Sequence, residues 1–370
     1  MKIAIIIPTL TLGGAEKIAR DTALCFAEQG HIVTLILFTD KQEFNVSEKI
    51  EICKNVKNIF ALIKVLRNGK FDLCISYMER ANLLASVATK ILNIKHCATV
   101  HTAPAAGFKL RSKKNRFAIS LTYYLLKLLN TKVVGVCDGI VADLKRMYGI
   151  KNTSVIPNFI NTAEILHQAN EEDIKEKFDF IFVGRLTKVK GCHIFIEALA
   201  KIKDILKEKN VRVAIIGNGP ELDDIKKAVI KHGIEDHIKM LGAKKNPYPF
   251  IKASSYIVVP SYAEGFGMVV LEGLALGARV IFSRCDFGPR EIINNNFKEL
   301  SSLGFKNPAT DSQAAIKDLK RILESELKCM TPFDYEFALE RVQMFYNKEK
   351  VCGQFLDIVG KGYGVYNSMQ

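Results

Sequence analysis

Apolar residues in this chain gather into short runs rich in Ile, Val, Leu and Phe. Between the runs lie segments whose apolar positions recur every three or four residues. Continuous apolar runs of strand length mark strands buried on both faces of a parallel sheet, and a recurrence near 3.6 marks the helices that cover it. Strands are expected over residues 2–8, 31–38, 71–76, 96–101, 133–136 and 155–157, with helices from about 15 and over 58–66, 82–92 and 117–129. A second set of strands follows over 180–183, 211–216, 238–241, 256–259 and 278–283. Its helices begin at 192 and run over 268–276, over 311–327 and from 334 onward. Between the sets, residues 161–177 are polar and acid-rich without strong periodicity, as an interdomain linker would be. Strand and helix alternating in two blocks predicts an α/β protein of two domains, each on a parallel sheet.

Length and composition agree. A chain of 370 residues suggests two domains, and 48% hydrophobic with 25% charged residues is ordinary for a globular protein. The longest apolar stretches are strand-sized or broken by charge, so no membrane span is expected. Residues 1–10 read as a first strand and not a signal peptide, because Pro8 ends a short apolar run that leads into a Gly-Gly turn. The nine cysteines include no Cys-x-x-Cys pair and mostly lie in or beside apolar runs, so they read as reduced core residues of a cytosolic protein. Charge is uneven. Residues 1–160 carry 23 basic against 11 acidic side chains, whereas residues 161–370 carry 30 against 28. An anionic partner for the first half follows.

The stretch richest in chemistry is 256–291. A buried strand ends at Pro260, and a loop then carries Glu264 between small residues and two glycines. A short apolar helix follows, holding a single charge, Glu272. Glu264 stands at the carboxyl end of a strand, where parallel α/β sheets place their ligands. The backbone N–H groups of Phe266, Gly267 and Met268 would be free donors at the helix start. Two carboxylates that bind hydroxyls beside free amides suit a polyol joined to a phosphate, that is, a nucleotide sugar. A chance charge on a solvent face explains Glu272 less well, because Leu271 and Leu274 flank it and the segment has no polar face.

Other strand ends carry matching features. Gly13-Gly14 after the first strand suits close approach of a phosphate, although a bare Gly-Gly turn serves structure as readily. Turn 184–191 flanks a helix start with Arg185 as a fork and Lys190 as a point charge, a diphosphate cradle. Turn 217–221, with Gly217 and Gly219, lacks the third glycine of a dinucleotide loop. His101 ends a strand and is a candidate site residue.

Glu264-x7-Glu272 in this strand–loop–helix setting resembles the signature of the family 4 retaining glycosyltransferases. Gly13-Gly14, the Gly-Arg-x4-Lys-Gly of 184–191, and Gly217 to Pro220 are similar to that family's other motifs and occur in its order. The resemblance covers nearly the full length, and segment 157–161 departs from it in having Asn where Asp is commoner. It implies the GT-B fold, two Rossmann-like domains facing across a cleft. These would be an acceptor-binding domain over 1–165, a nucleotide-sugar domain over 166–345, and a segment over 346–370 returning to the first.

The resemblance also implies retaining transfer from a nucleoside diphosphate sugar, expected to be UDP-hexose or UDP-N-acetylhexosamine, to a glycan acceptor such as a lipid-linked oligosaccharide or lipopolysaccharide. Glu264 would align with the sugar hydroxyls and Glu272 would hold the ribose. Arg185 and Lys190 would bind the diphosphate, and His101 and Gly13-Gly14 would face the donor. Gly217, Gly219, Leu241 and Gly242 would line the nucleotide. No enzymic nucleophile and no cofactor is implied, and no divalent metal is expected because cations already face the leaving group. A 2-epimerase of the same architecture would need further acid/base groups. A basic nucleic-acid-binding protein would explain the charge but not the acids and glycines at strand ends, and no RNA- or DNA-binding motif appears.

The cluster 109–116, with Lys109, Arg111, Lys113, Lys114 and Arg116, precedes an apolar helix. It is either a solvated loop before a core helix or a membrane-surface or acceptor-binding element, and binding to anionic lipid would put the enzyme peripherally on the inner face of the cytoplasmic membrane. Gly360 to Gly364 reads as a flexible tail.

Overall fold

The structure is a computed structural model and describes residues 1–11, 13–102, 104, 113–358 and 360. The chain divides into two compact units, Met1–Phe159 together with the segment from Lys348, and Ile160–Asn347.

The first unit is built on seven strands: β1 (Lys2–Ile7), β2 (Ile32–Leu37), β3 (Ile50–Cys53), β4 (Leu73–Tyr77), β5 (Lys95–Val100), β6 (Lys132–Gly135) and β7 (Thr153–Val155). They lie in the order β3-β2-β1-β4-β5-β6-β7, every pair parallel. β1 and β4 are buried along almost their whole length, which is why their sequences are continuous apolar runs. Helices Ile59–Gly69 and Glu79–Leu92 close one core against the sheet, with Leu62, Leu66, Ala81, Ala85 and Ala88 meeting Ile6, Ile36, Phe38 and Cys74. Trimming Leu62 or Leu66 to Ala there costs about 2–5 kcal/mol. The C-terminal helix Lys348–Asp357 packs on Gly14–Glu28, and Lys348 ion-pairs Glu28 at 2.7 Å.

The second unit has six parallel strands: β8 (Phe178–Val183), β9 (Val213–Ile216), β10 (Ile238–Gly242), β11 (Ser254–Val259), β12 (Arg279–Ser283) and β13 (Gly304–Phe305). Their order is β10-β9-β8-β11-β12-β13. Helices Cys192–Ala200, Leu222–His232, Met268–Ala275 and Ser312–Lys328 cover the faces.

Several elements fall where periodicity announced none. β3 is an edge strand whose run is broken by Glu51. The helix Asp138–Tyr148 intersperses Asp, Lys and Arg among its apolar positions. The expected linker 161–177 opens with the helix Thr162–Gln168, capped by Asn161, whose side chain accepts from the Glu164 N–H at 3.2 Å. That helix packs on the second unit, against Tyr248–Lys252 and Met268–Ala275. Pro289 starts a further helix, Pro289–Asn296.

Candidate active site

Strand order dictates where each unit holds a ligand. A crevice opens outside the carboxyl ends of the strands wherever successive connections leave to opposite sides of the sheet. In the first unit this point lies between β1 and β4, and in the second between β8 and β11. The loops at the second point are 184–191 after β8 and 260–267 after β11, the segments that carry Arg185, Lys190 and Glu264.

The loops meet through those side chains. Lys190 Nζ donates to both Glu264 oxygens, at 2.7 and 2.9 Å. Ser261 Oγ donates to Glu264 Oε1 at 2.6 Å. The Glu264 side chain is only 8% exposed, against 31% for Lys190. A carboxylate so enclosed needs its cation and hydroxyl, because an unpaired charge there is costly. Beneath it lies the buried Cys285 thiol, which burial and then the Glu264 carboxylate push up to about 12, so it stays a protonated core group. Gly191 allows the approach: its φ is +69°, and a Cβ there would lie 2.0 Å from the Pro260 carbonyl oxygen. Tyr262 N–H, one residue past Ser261, donates to Val189 O at 2.8 Å.

Around this pair the remaining second-unit candidates are distributed as follows. Gly267 caps Met268–Ala275 in the left-handed conformation (φ +86°) and its carbonyl accepts from the Val270 N–H at 2.9 Å, while the Met268 N–H ahead of it has no acceptor within the helix. Phe266 is buried with its ring edge-on to Tyr346. Glu272 lies one turn into that helix, half-buried, and Tyr248 Oη donates to its Oε1 at 3.3 Å. Gly217 N–H donates to Gly242 O at 2.9 Å, and Leu186 N–H to Asn218 O at 2.9 Å, which fastens turn 217–221 between turn 184–191 and the end of β10, where Leu241 sits. A Cβ on Gly217 would lie 1.9 Å from Gly184 O. Arg185 is exposed on turn 184–191 and makes no ion pair among the described residues.

In the first unit, Gly13 is extended (φ −134°) and caps Gly14–Glu28. A Cβ on Gly14 would meet nothing within 4 Å, and one on Gly13 only the movable Glu16 carboxylate. Backbone conformation therefore demands neither glycine, and their missing side chains leave room above a helix N-terminus. His101 stacks on Tyr77 with ring centroids 5.2 Å apart. Burial lowers its pKa to about 4, a neighbouring Asn158 opposing the shift, so the ring is neutral at neutral pH. Thr99 Oγ1 spends its proton on Ser76 O at 2.8 Å, so His101 Nε2–H is the donor in their 3.0 Å contact. The other nitrogen, Nδ1, is a buried acceptor without a bond of hydrogen-bond geometry.

Patterning missed several participants. Ser261, Tyr248 and Cys285 lack any signal in one sequence, since each gains its role only when two strand ends meet. His193 Nε2 contacts Tyr262 Oη at 3.0 Å, Tyr262 Oη contacts Ser312 Oγ at 3.2 Å, and His193 Nδ1 lies 3.5 Å from Glu221. This tie joins the start of Cys192–Ala200 to the Glu264 loop. Met78, at the end of β4, holds φ +74° and ψ 152°, a region that costs an L-residue about 1–3 kcal/mol. It flanks the first unit's own crevice. Of the basic cluster, Lys109 and Arg111 lie outside the described residues, as does the tail beyond Gly360.

Residues 12–164 match Glycosyltransferase Family 4, and residues 164–335 match the glycosyl transferases group 1 family. An uncharacterised glycosyltransferase of Methanocaldococcus jannaschii is 32% identical over 341 residues, covering 86% of this chain and 89% of that protein. A second from that organism is 28% identical over 277 residues, 70% of this chain and 66% of the relative, so this chain spans just under two thirds of its length. The N-acetylgalactosamine-N,N'-diacetylbacillosaminyl-diphospho-undecaprenol 4-alpha-N-acetylgalactosaminyltransferase of Campylobacter jejuni is 27% identical over 350 residues, 88% and 91% of the two chains.

Among solved structures, the sucrose-phosphate synthase of Thermosynechococcus elongatus superposes with a TM-score of 0.76 at 19% identity, covering 97% of this chain and 98% of that one. HepE of Anabaena, in complex with UDP, superposes with a TM-score of 0.73 at 18% identity, covering 97% and 100%. With the two family matches meeting at residue 164 and the fold shared end to end, this chain belongs to the family 4 glycosyltransferases and has the GT-B fold.

Proposed function

We propose that this glycosyltransferase moves a hexose or N-acetylhexosamine from a UDP-sugar, with retention, to a lipid-linked or lipopolysaccharide-type glycan at the cytoplasmic face of a membrane. The carrying observation is the Lys190–Glu264 pair at the second unit's switch point. One group suits a diphosphate and the other sugar hydroxyls, and both stand where such a fold binds ligand. Support for the nucleotide comes from the UDP held by HepE, and support for the acceptor from the diphospho-undecaprenol substrate in the name of the Campylobacter relative.

In the proposed reaction the bond from the anomeric carbon to the β-phosphate oxygen breaks as a bond from that carbon to the acceptor oxygen forms on the same face. The acceptor's hydroxyl proton passes to the departing phosphate, and UDP leaves. Lys190, Arg185 and the amides at the start of Met268–Ala275 stabilise the charge developing on the diphosphate. Glu264 accepts from sugar hydroxyls and Glu272 from the ribose. His101, neutral, contributes polarity and no charge. An epimerase would need a proton-shuttling pair, and His101 with its Nε2–H committed to Thr99 is a poor shuttle.

A UDP-release screen over a panel of nucleotide sugars, with and without an undecaprenyl-diphosphate-linked glycan, tests this reading. Acceptor-dependent release from one UDP-sugar is expected. Release that is indifferent to every acceptor, or no release from any UDP-sugar, would overturn it.

A further inference from the structure

One tie beside the second unit's switch point has no part in the proposed reaction. His193, the second residue of Cys192–Ala200, holds Nε2 3.0 Å from Tyr262 Oη, with the two rings tilted at a centroid distance of 5.7 Å. Tyr262 Oη also lies 3.2 Å from Ser312 Oγ, at the start of Ser312–Lys328. Ser312 Oγ donates to Pro308 O at 3.0 Å, so its single proton is engaged there. Only one assignment then gives every contact a proton. Tyr262 Oη–H donates to Ser312, and His193 Nε2–H donates to Tyr262. On the ring's other edge Nδ1 lies 3.5 Å from Glu221 Oε2. Whatever Nδ1 carries, the Tyr262 contact needs a proton on Nε2.

What a diphosphate would take away gives this tie a purpose. Glu264 is held by Lys190 Nζ at 2.7 and 2.9 Å and by Ser261 Oγ at 2.6 Å. A diphosphate that claims Lys190 leaves only the Ser261 contact of these three, just when the carboxylate must face sugar hydroxyls. The loop after β11 then depends on anchors for which no ligand competes. Tyr262, two residues before Glu264, has them at both ends. Its N–H donates to Val189 O at 2.8 Å, beside Lys190, and its hydroxyl is fixed between His193 and Ser312. His193 follows Lys190 by three residues, so one short segment carries both the diphosphate's cation and the anchor of the sugar-facing loop.

We propose that His193 is a positioning residue: its Nε2–H holds Tyr262, and through Tyr262 the Glu264 loop, in place against the sugar after the diphosphate has taken Lys190. This deepens the transferase reading and rests on it for the roles of Lys190 and Glu264. A ring that only filled space would need no proton on Nε2, and any side chain of its size would serve.

Two substitutions separate the edges of the ring. In His193→Gln the amide nitrogen falls near Nε2 and can still donate to Tyr262, whereas in His193→Asn it falls near Nδ1 and cannot. Hydrogen exchange of segment 260–267, read by mass spectrometry, should be faster in His193→Asn and in Tyr262→Phe, most of all with saturating UDP. It should stay close to normal in His193→Gln. Turnover is measured with whichever of UDP-glucose, UDP-galactose, UDP-N-acetylglucosamine and UDP-N-acetylgalactosamine releases UDP. It should fall about three- to tenfold in His193→Asn and Tyr262→Phe, the scale of one hydrogen bond between uncharged groups, and recover in His193→Gln. UDP affinity by calorimetry should not weaken, because no group on the diphosphate is lost. With Glu264→Gln already present, His193→Asn should cost little further turnover, and a loss as large as in the unaltered chain would mark a purely structural residue. Equal exchange in the Gln and Asn variants, or a loosened loop with normal turnover, overturns the proposal. A loop that loosens in the Asn variant, in a chain that releases UDP from none of the four donors, would retain the tether and overturn the transferase reading instead.

Discussion

Replacing Glu264 by Gln should act in opposite directions on binding and on turnover. Lys190 is engaged by both Glu264 oxygens, at 2.7 and 2.9 Å, so a diphosphate must compete with the carboxylate for that cation. Exposed ion pairs contribute about 0–1 kcal/mol, whereas removing one partner of a buried pair costs about 3–5. This pair lies between those limits, with Glu264 enclosed and Lys190 31% exposed. A competition term of about 1 kcal/mol therefore applies, about fivefold in Kd. Gln keeps the shape and the Ser261 contact but releases most of that hold, so UDP should bind about fivefold more tightly. Transfer should still fall by about 10²-fold or more, because the charge facing the sugar hydroxyls is gone. Calorimetry with UDP alone and acceptor-dependent UDP release with the complete system measure the two effects. Weaker UDP binding in the variant would refute the competition, and near-normal turnover would refute the role of Glu264.

Other outcomes follow from neighbouring contacts. Lys190→Ala should lower turnover by roughly 10²-fold and weaken UDP binding, so that the Glu264→Gln change no longer tightens it in the double variant. Tyr248→Phe, which removes the donor to Glu272 Oε1, should weaken UDP binding about 2- to 10-fold by calorimetry with the thermal midpoint little changed. EDTA should leave turnover intact, and loss restored by Mn²⁺ would show that a metal shares the diphosphate with Lys190. Acid should destabilise the first unit through His96. Burial lowers its pKa to about 3 from the usual 6.5, so between these values the unfolded chain binds a proton that the folded chain refuses. The stability linked to neutral His96 is complete above pH 6.5 and drains toward pH 3, by on the order of 1.4 kcal/mol per unit. Denaturation of a His96→Gln variant should show a correspondingly shallower pH dependence, and identical profiles would remove His96 from this account.

Apolar runs made the architecture legible, because strands buried on both faces cannot be other than continuous. β1, β4, β8 and β11 accordingly lie within a few residues of their expected positions. Elements carried by less apolar segments were not legible: β3 on its sheet edge, the short helix Thr162–Gln168 inside a polar stretch, and Pro289–Asn296 after a turn. At the site, Lys190 and Glu264 could be nominated separately by their strand ends. Their contact across 74 positions follows only from β8 lying beside β11. Ser261 on Glu264, Tyr248 on Glu272 and the His193–Tyr262 tie are common residue types at unremarkable spacings. His101 shows the reverse case. A strand-end imidazole was conspicuous in the sequence, while its neutral state and committed Nε2–H emerge from burial and from the prior engagement of Thr99. Met78 gave no warning, since backbone strain at a strand end has no compositional mark.

The measurement closest to the central claim is the anomeric configuration of the transferred sugar, read by NMR of the product from the UDP-sugar that supports acceptor-dependent release. Departure of the diphosphate and attack on one face, with Lys190 holding the leaving group and no protein nucleophile, predicts the donor's configuration in the product from the first turnover. An inverted linkage would contradict the account, because it requires attack from the opposite face and a base to receive the acceptor's proton there.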